Sequence, residues 1–303
     1  MEPYRPGYMA LHEKGELARR VKAARALLRN CAVCPHACHV NRTAGETGRC
    51  NTGAKARVCS ANAHFGEESP LVGTYGSGTI FFSWCNLKCL FCQNAELSAY
   101  GMGRDLGAND LARLMLDLQA LRCHNINLVS PSHVVPQILE ALPIAAEQGL
   151  RLPLVYNSGG YDSVPTLKLL DGVFDIYMPD MKYADAATAE RLSGISEYPS
   201  INRAAVREMH RQVGDLTMDS RGVAYRGLLV RHLVLPENLA GTQAIMEFLA
   251  RDLSPNTYVN VMAQYHPCHH ANDMPPLTRR ITSVEYENGV EIARKAGLHR
   301  FAR

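Results

Sequence analysis

Apolar positions follow two regimes along this chain. Over residues 10–29, Ala, Leu and Val recur among charged residues at helical spacing, which predicts one amphipathic helix. Residues 31–75 are rich in Cys, Gly, Asn, Thr and His and lack long periodic runs. So loop-rich a segment has little apolar core of its own and reads as a small metal-stapled module. From residue 78, short apolar runs alternate with helical patterns. The runs predict strands at 78–84, 126–130, 152–157, 174–179, 228–235 and 258–263. The patterns between them predict helices at 109–121, 134–148, 163–170, 185–193, 199–213 and 241–251, with a closing helix at 283–296.

Strands alternating with helices imply βαβ units, a mostly parallel sheet and right-handed crossovers. The fold class is therefore α/β, as an open doubly wound sheet or a partial barrel. In either form ligands bind at the carboxyl ends of the strands. The residues to inspect are those from Cys85 onward and at 130–133, 157–160, 180–182, 236 and 264–266.

Composition narrows the function classes. The 303 residues carry 32 basic and 29 acidic side chains, a net charge of +3, too balanced for a nucleic-acid or anionic-membrane surface. No apolar run is long enough to cross a bilayer, and the polar start of the chain lacks a signal-peptide pattern. A cytoplasmic protein is expected. There are ten cysteines, eight of them between Cys31 and Cys92. In a reducing compartment such clustering points to metal or redox chemistry.

Cys85, Cys89 and Cys92 lie within eight residues, directly after the first strand of the βα region. A short loop with three thiolates can hold three corners of a [4Fe-4S] cluster and leave one iron without a protein ligand. The alternative is a structural zinc site. Zinc prefers four closed ligands, and the nearest further cysteine, Cys59, is 26 residues upstream of Cys85.

The spacing CxxxCxΦC, with Phe91 as Φ, resembles the signature of the radical S-adenosylmethionine (SAM) superfamily. The chain is similar to the pyruvate formate-lyase activating enzymes. More closely it resembles the PflX-type group, through its N-terminal cysteine block, FGEE at 65–68, GSGTIFFSWCNLKCLFCQN and HNINLVSPSH. The resemblance implies a partial (β/α)6 TIM-type barrel at 76–265, after a helix and Cys-rich module at 1–75 and before an extension at 266–303. It also implies a [4Fe-4S] cluster that cleaves SAM reductively to a 5′-deoxyadenosyl radical. That radical would abstract hydrogen from a protein substrate, with flavodoxin or ferredoxin as one-electron donor.

Site residues follow from the same resemblance. Activating enzymes place Gly-Gly-Glu after strand two to bind the SAM amino group; this chain has Ser130 and Ser132 there. Asn157 and Ser158 stand at their Thr-Asn-Gly. Asp180 and Lys182 match their Asp-x-Lys, Arg231 their strand-five arginine and His266 their Tyr-His pair near adenine. Plainer readings exist for each. Asp180 and Lys182 could form a surface ion pair, Arg231 could neutralise a buried carboxylate, and the two serines could shape a turn. His133 reads as an exposed loop residue.

Cys31, Cys34, Cys38 and Cys50 form a complete four-thiolate set, for zinc or a second iron–sulfur cluster. Cys59, Cys123 and Cys268 read as inert thiols, and His269 and His270 as non-ligands. Two other functions compete with the protein-modifying reading. One is a radical SAM enzyme acting on a small metabolite, favoured by a pocket of convergent polar groups. The other is a non-enzymatic iron–sulfur or zinc protein.

Overall fold

The computed structural model describes residues 4–302. Among them the strands are β1 (Ala56–His64), β2 (Ser77–Phe82), β3 (Arg104–Leu106), β4 (Ile126–Val129), β5 (Leu154–Ser158), β6 (Ile176–Pro179), β7 (Thr217–Met218), β8 (Ala224–Leu233), β9 (Tyr258–Met262) and β10 (Arg300–Phe301). One mixed sheet runs β10-β9-β8-β6-β5-β4-β2-β1-β3, with β7 paired to β8. From β2 to β10 along that order the pairs are parallel. β1, β3 and β7 pair antiparallel. The architecture is α/β, with helices carrying the parallel crossovers.

All six expected strands are present, within a few residues of their predicted limits. So are the helices, among them Ala108–Ala120, Val135–Glu147, Tyr198–Val213 and Ser283–Ala296. Their ends show why. Asp185 accepts from the Thr188 amide at the start of Ala186–Ser193. Thr282 and Glu285 form a reciprocal capping box before Ser283–Ala296.

Three expectations are corrected. The helix over 10–29 is two helices, Gly7–Glu13 and Glu16–Ala26, because Gly15 takes φ +68° and breaks the run. The helix after β8 ends as α at Glu247 and widens into a π-turn over Phe248–Leu253. Residues 31–75 are not loop-rich throughout: Ala56–His64 is a nine-residue strand in the main sheet.

The largest apolar cluster joins Leu17, Leu28 and Val33 to Ile80, Leu128, Tyr156 and Val230, so the N-terminal segment packs into the core of the sheet and its helices. A second cluster surrounds the cysteine loop, with Leu87, Phe91, Tyr161, Tyr183 and Tyr198. No helix among the described residues is long and apolar enough to cross a membrane.

Candidate functional site

The loop after β2 carries the three clustered cysteines. Trp84 and Lys88 both take positive φ, +66° and +53°, which folds the loop tightly around their neighbours. Each thiol has a donor: the Leu87 amide to Cys85 Sγ at 3.4 Å, Ser193 Oγ to Cys89 Sγ at 3.1 Å, and Ser98 Oγ to Cys92 Sγ at 3.1 Å. Burial pushes the Cys85 thiol up to about 12, and it raises Cys92 as well. Buried thiols gain their negative form only against a strong positive charge, which iron supplies.

All three cysteines line one cavity. Ser130, Asn157 and Ser158 line it too, from the ends of β4 and β5. Asp180, Lys182 and Arg231 complete the wall from β6 and β8. Nine of the expected residues therefore meet at the carboxyl ends of the parallel strands. Ser132 and His266 lie outside this lining. Ser132 is buried in the turn Pro131–His133, beside Asp162. His266 Nδ1 lies 3.3 Å from Nε2 of Gln93, the residue after Cys92.

Asp180 and Lys182 are not a surface pair. Their side chains are mostly buried, with Lys182 Nζ 2.6 Å from Asp180 Oδ2. Arg231 Nε is 2.8 Å from Asp180 Oδ1, and Arg231 Nη2 is 2.7 Å from Asn157 Oδ1. Burial pushes the Asp180 carboxyl up, but Arg231 and Lys182 outweigh it and hold the group below its ordinary value. Burial pulls Lys182 down, yet Asp180 and Cys89 leave it above its ordinary value. Arg231 thus neutralises a buried carboxylate and lines the cavity at once.

Residues the sequence reading missed hold this wall in place. Tyr198 OH accepts from the Lys182 amide and reaches the Gly159 carbonyl at 2.9 Å. Asn202 Nδ2 donates to the carbonyls of Gly160 and Asp180 at 3.0 Å. Gly160 has φ +75°, and a Cβ there would lie 2.2 Å from Asn202 Nδ2. Asp162 accepts from Ser158 Oγ at 2.7 Å and Tyr156 OH at 2.8 Å. No local spacing announces these partners, because each acts across a turn or between elements. His133 is corrected as well: it is 1% exposed, and burial followed by the charge of Arg42 pushes it down to about 4.

Cys31, Cys34 and Cys50 are buried, and Cys38 is half-buried. Burial is the main cause of a Cys34 value near 12, and Cys50, Cys31 and Cys38 add to it through their proximity. Arg42 is 1% exposed beside them, with Nη1 3.9 Å from Cys31 Sγ and 2.8 Å from the His133 carbonyl. It forms no carboxylate ion pair among the described residues. Its Nε and Nη2 donate to the Gly53 carbonyl at 3.0 and 2.9 Å. His36 Nε2 lies 2.7 Å from the Asn86 carbonyl and ties this block to the first cysteine loop.

Among the described residues, no three His, Cys, Asp or Glu side chains are grouped closely enough to hold one metal ion. All ten cysteines are free of disulfides, and the His269 and His270 ring centroids lie 3.8 Å apart with their planes tilted by 49°, without a ligand set around them among the described residues.

The chain matches no protein-family model. Its fold is similar to that of a radical SAM methyltransferase from Sphaerobacter thermophilus, with TM-score 0.52 and 18% identity over 74% of this chain. It spans 66% of that protein, slightly under two thirds. In sequence it is 32% identical over 286 residues to the uncharacterised protein MJ0674 of Methanocaldococcus jannaschii, covering 92% of this chain and 78% of that one. The chain belongs to the family of MJ0674.

Proposed function

We propose that this chain is a radical SAM enzyme. The observation that carries the reading is one cavity lined by Cys85, Cys89 and Cys92 together with Lys182, Asp180 and Arg231. The three thiols would hold a [4Fe-4S] cluster with one iron left for SAM. Cluster and SAM together supply a one-electron cleavage that delivers a 5′-deoxyadenosyl radical for hydrogen abstraction.

The chain's own residues bind and orient. Lys182 offers an ammonium for the SAM carboxylate. Asp180 fixes both Lys182 and Arg231. Ser130, Asn157 and Ser158 offer polar atoms from the strand ends, and His266, beside Gln93, would meet adenine. Seven parallel strands in sequential order, the last of them the two-residue β10, support a partial barrel of the (β/α)6 kind. Flavodoxin or ferredoxin would supply the electron. Cys31, Cys34, Cys38 and Cys50 would hold a second metal centre, with Arg42 balancing its charge.

The resemblance to activating enzymes points to a polypeptide substrate. A specific feature favours a small polar molecule. Beside the cysteine cavity lies a chamber where Glu67, Glu68, Arg231 and Asn260 converge.

Anaerobic reconstitution with iron and sulfide, then EPR spectroscopy of the dithionite-reduced protein, tests the proposal. A [4Fe-4S] signal that shifts on adding SAM is expected. A signal indifferent to SAM refutes it.

A further inference from the structure

Two hydroxyls are aimed at the cysteine loop from outside it. Ser98, the last residue of the helix Ala95–Ser98, donates from Oγ to Cys92 Sγ at 3.1 Å. Ser193, the last residue of the helix Ala186–Ser193, donates from Oγ to Cys89 Sγ at 3.1 Å. Both serines are buried. A serine within a helix turns its hydroxyl to solvent or to a carbonyl of the preceding turn. Among the described residues these two do neither, and both hydroxyls go to sulfur.

The surroundings fix the direction of the bonds. A thiolate that ligates iron has no proton, so each serine must be the donor. Tyr183 OH lies 2.8 Å from Ser193 Oγ and close to Cys89 as well. With the single Ser193 proton committed to sulfur, Tyr183 is the donor to Ser193. Arg49 donates from Nη2 to the Ser193 carbonyl at 3.1 Å, so the backbone of this serine is held too. Fixed cations offer these sulfurs less. Lys182 acts on the charge of Cys89 and Cys92, but its Nζ is 2.6 Å from Asp180 Oδ2 and that pair is neutral. Cys89 is 8% exposed, so water screens little there.

We infer that Ser98 and Ser193 tune the reduction potential of the cluster held by Cys85, Cys89 and Cys92, raising it into the reach of a one-electron carrier. The inference rests on the radical SAM reading of the cavity. One electron passes from a reduced carrier of the flavodoxin or ferredoxin kind, which is oxidised by one electron. No bond forms or breaks at either serine. The ligand sulfurs share the added negative charge, and a hydrogen bond to a more negative acceptor is stronger. The two hydroxyls therefore favour the reduced state over the oxidised one.

EPR-monitored redox titration of the reconstituted protein without SAM tests this. Ser98→Ala/Ser193→Ala should bind as much iron as wild type and lower the midpoint potential by about 59 mV, a tenfold shift in the one-electron equilibrium. Each single Ala variant should move it the same way by less, and Ser98→Thr, which keeps the hydroxyl, should stay near wild type. Ser98→Ala compared with Ser98→Thr decides where the double variant fails to load iron. Wild-type potential in an iron-loaded double variant overturns the inference, as does a Ser98→Thr potential as low as that of Ser98→Ala. The radical SAM reading fails separately, on a wild-type signal indifferent to SAM, and the serine potentials then still decide this inference. A wild type that takes up no cluster refutes both.

Discussion

Arg231 Nε lies 2.8 Å from Asp180 Oδ1, and the two residues also meet in an isolated parallel bridge that extends the pairing of β6 with β8. The contact closes the cavity wall where the sheet pairing itself runs out. Asp180→Asn leaves Arg231 and Lys182 without their shared counter-charge. A loss of about 3–5 kcal/mol is expected, measured by urea denaturation, together with weaker SAM binding. Unchanged stability would show that the triad is not a structural unit.

Asp175 anchors the N-terminal segment to β5. It accepts from Tyr4 OH at 2.8 Å, the Gly7 amide at 2.9 Å and the Leu154 amide at 2.9 Å. Burial outweighs these donors and pushes its carboxyl up to about 6. A carboxyl raised in the fold stabilises most below its unfolded value near 4, and that contribution fades as pH rises through 6. Relative to Asp175→Asn, the wild type should lose about 2 kcal/mol between pH 4 and pH 7. Urea denaturation at stepped pH reads the difference. A pH-independent gap between the two proteins contradicts the assignment.

Gly160→Ala places a methyl group 2.2 Å from Asn202 Nδ2 and 2.3 Å from the Asp180 carbonyl, at φ +75°. Backbone, not a flexible side-chain end, blocks one side. The turn that presents Asn157 and Ser158 must shift. A stability loss of about 1–3 kcal/mol and at least tenfold weaker SAM binding are expected. Calorimetry with SAM checks the second, and wild-type affinity would mean that the turn does not shape the pocket.

Cys34→Ser/Cys38→Ser should lower total bound metal and leave the EPR signal of the Cys85–Cys92 cluster in place. Arg42→Met should act in the same direction, since it removes the one buried cation beside Cys31. Elemental analysis of the purified protein decides: equal metal content in wild type and the double variant rules out a second centre.

Local order made much of this molecule readable from sequence. Six of the seven parallel strands announce themselves as short apolar runs, and three cysteines after the first of them need no tertiary information. β1 escaped because its run, ARVCSANAH, is built from small and polar residues, and its stability comes from pairing with both β2 and β3. The break at Gly15 was hidden by apolar periodicity that continues across it. Tyr198, Asn202 and Asp162 are ordinary residues whose roles exist only after the chain returns to the strand ends. Glu67 and Glu68 stood out as a motif, yet their chamber forms from β1, β8 and β9, far apart in sequence.

The most direct test is 5′-deoxyadenosine formation from SAM, driven by dithionite in anaerobically reconstituted protein. Wild type should form it, and Cys85→Ala, Cys89→Ala and Cys92→Ala should each fall to the protein-free background. Product retained in any one of the three variants, or none from an iron-loaded wild type, contradicts a three-thiol cluster site.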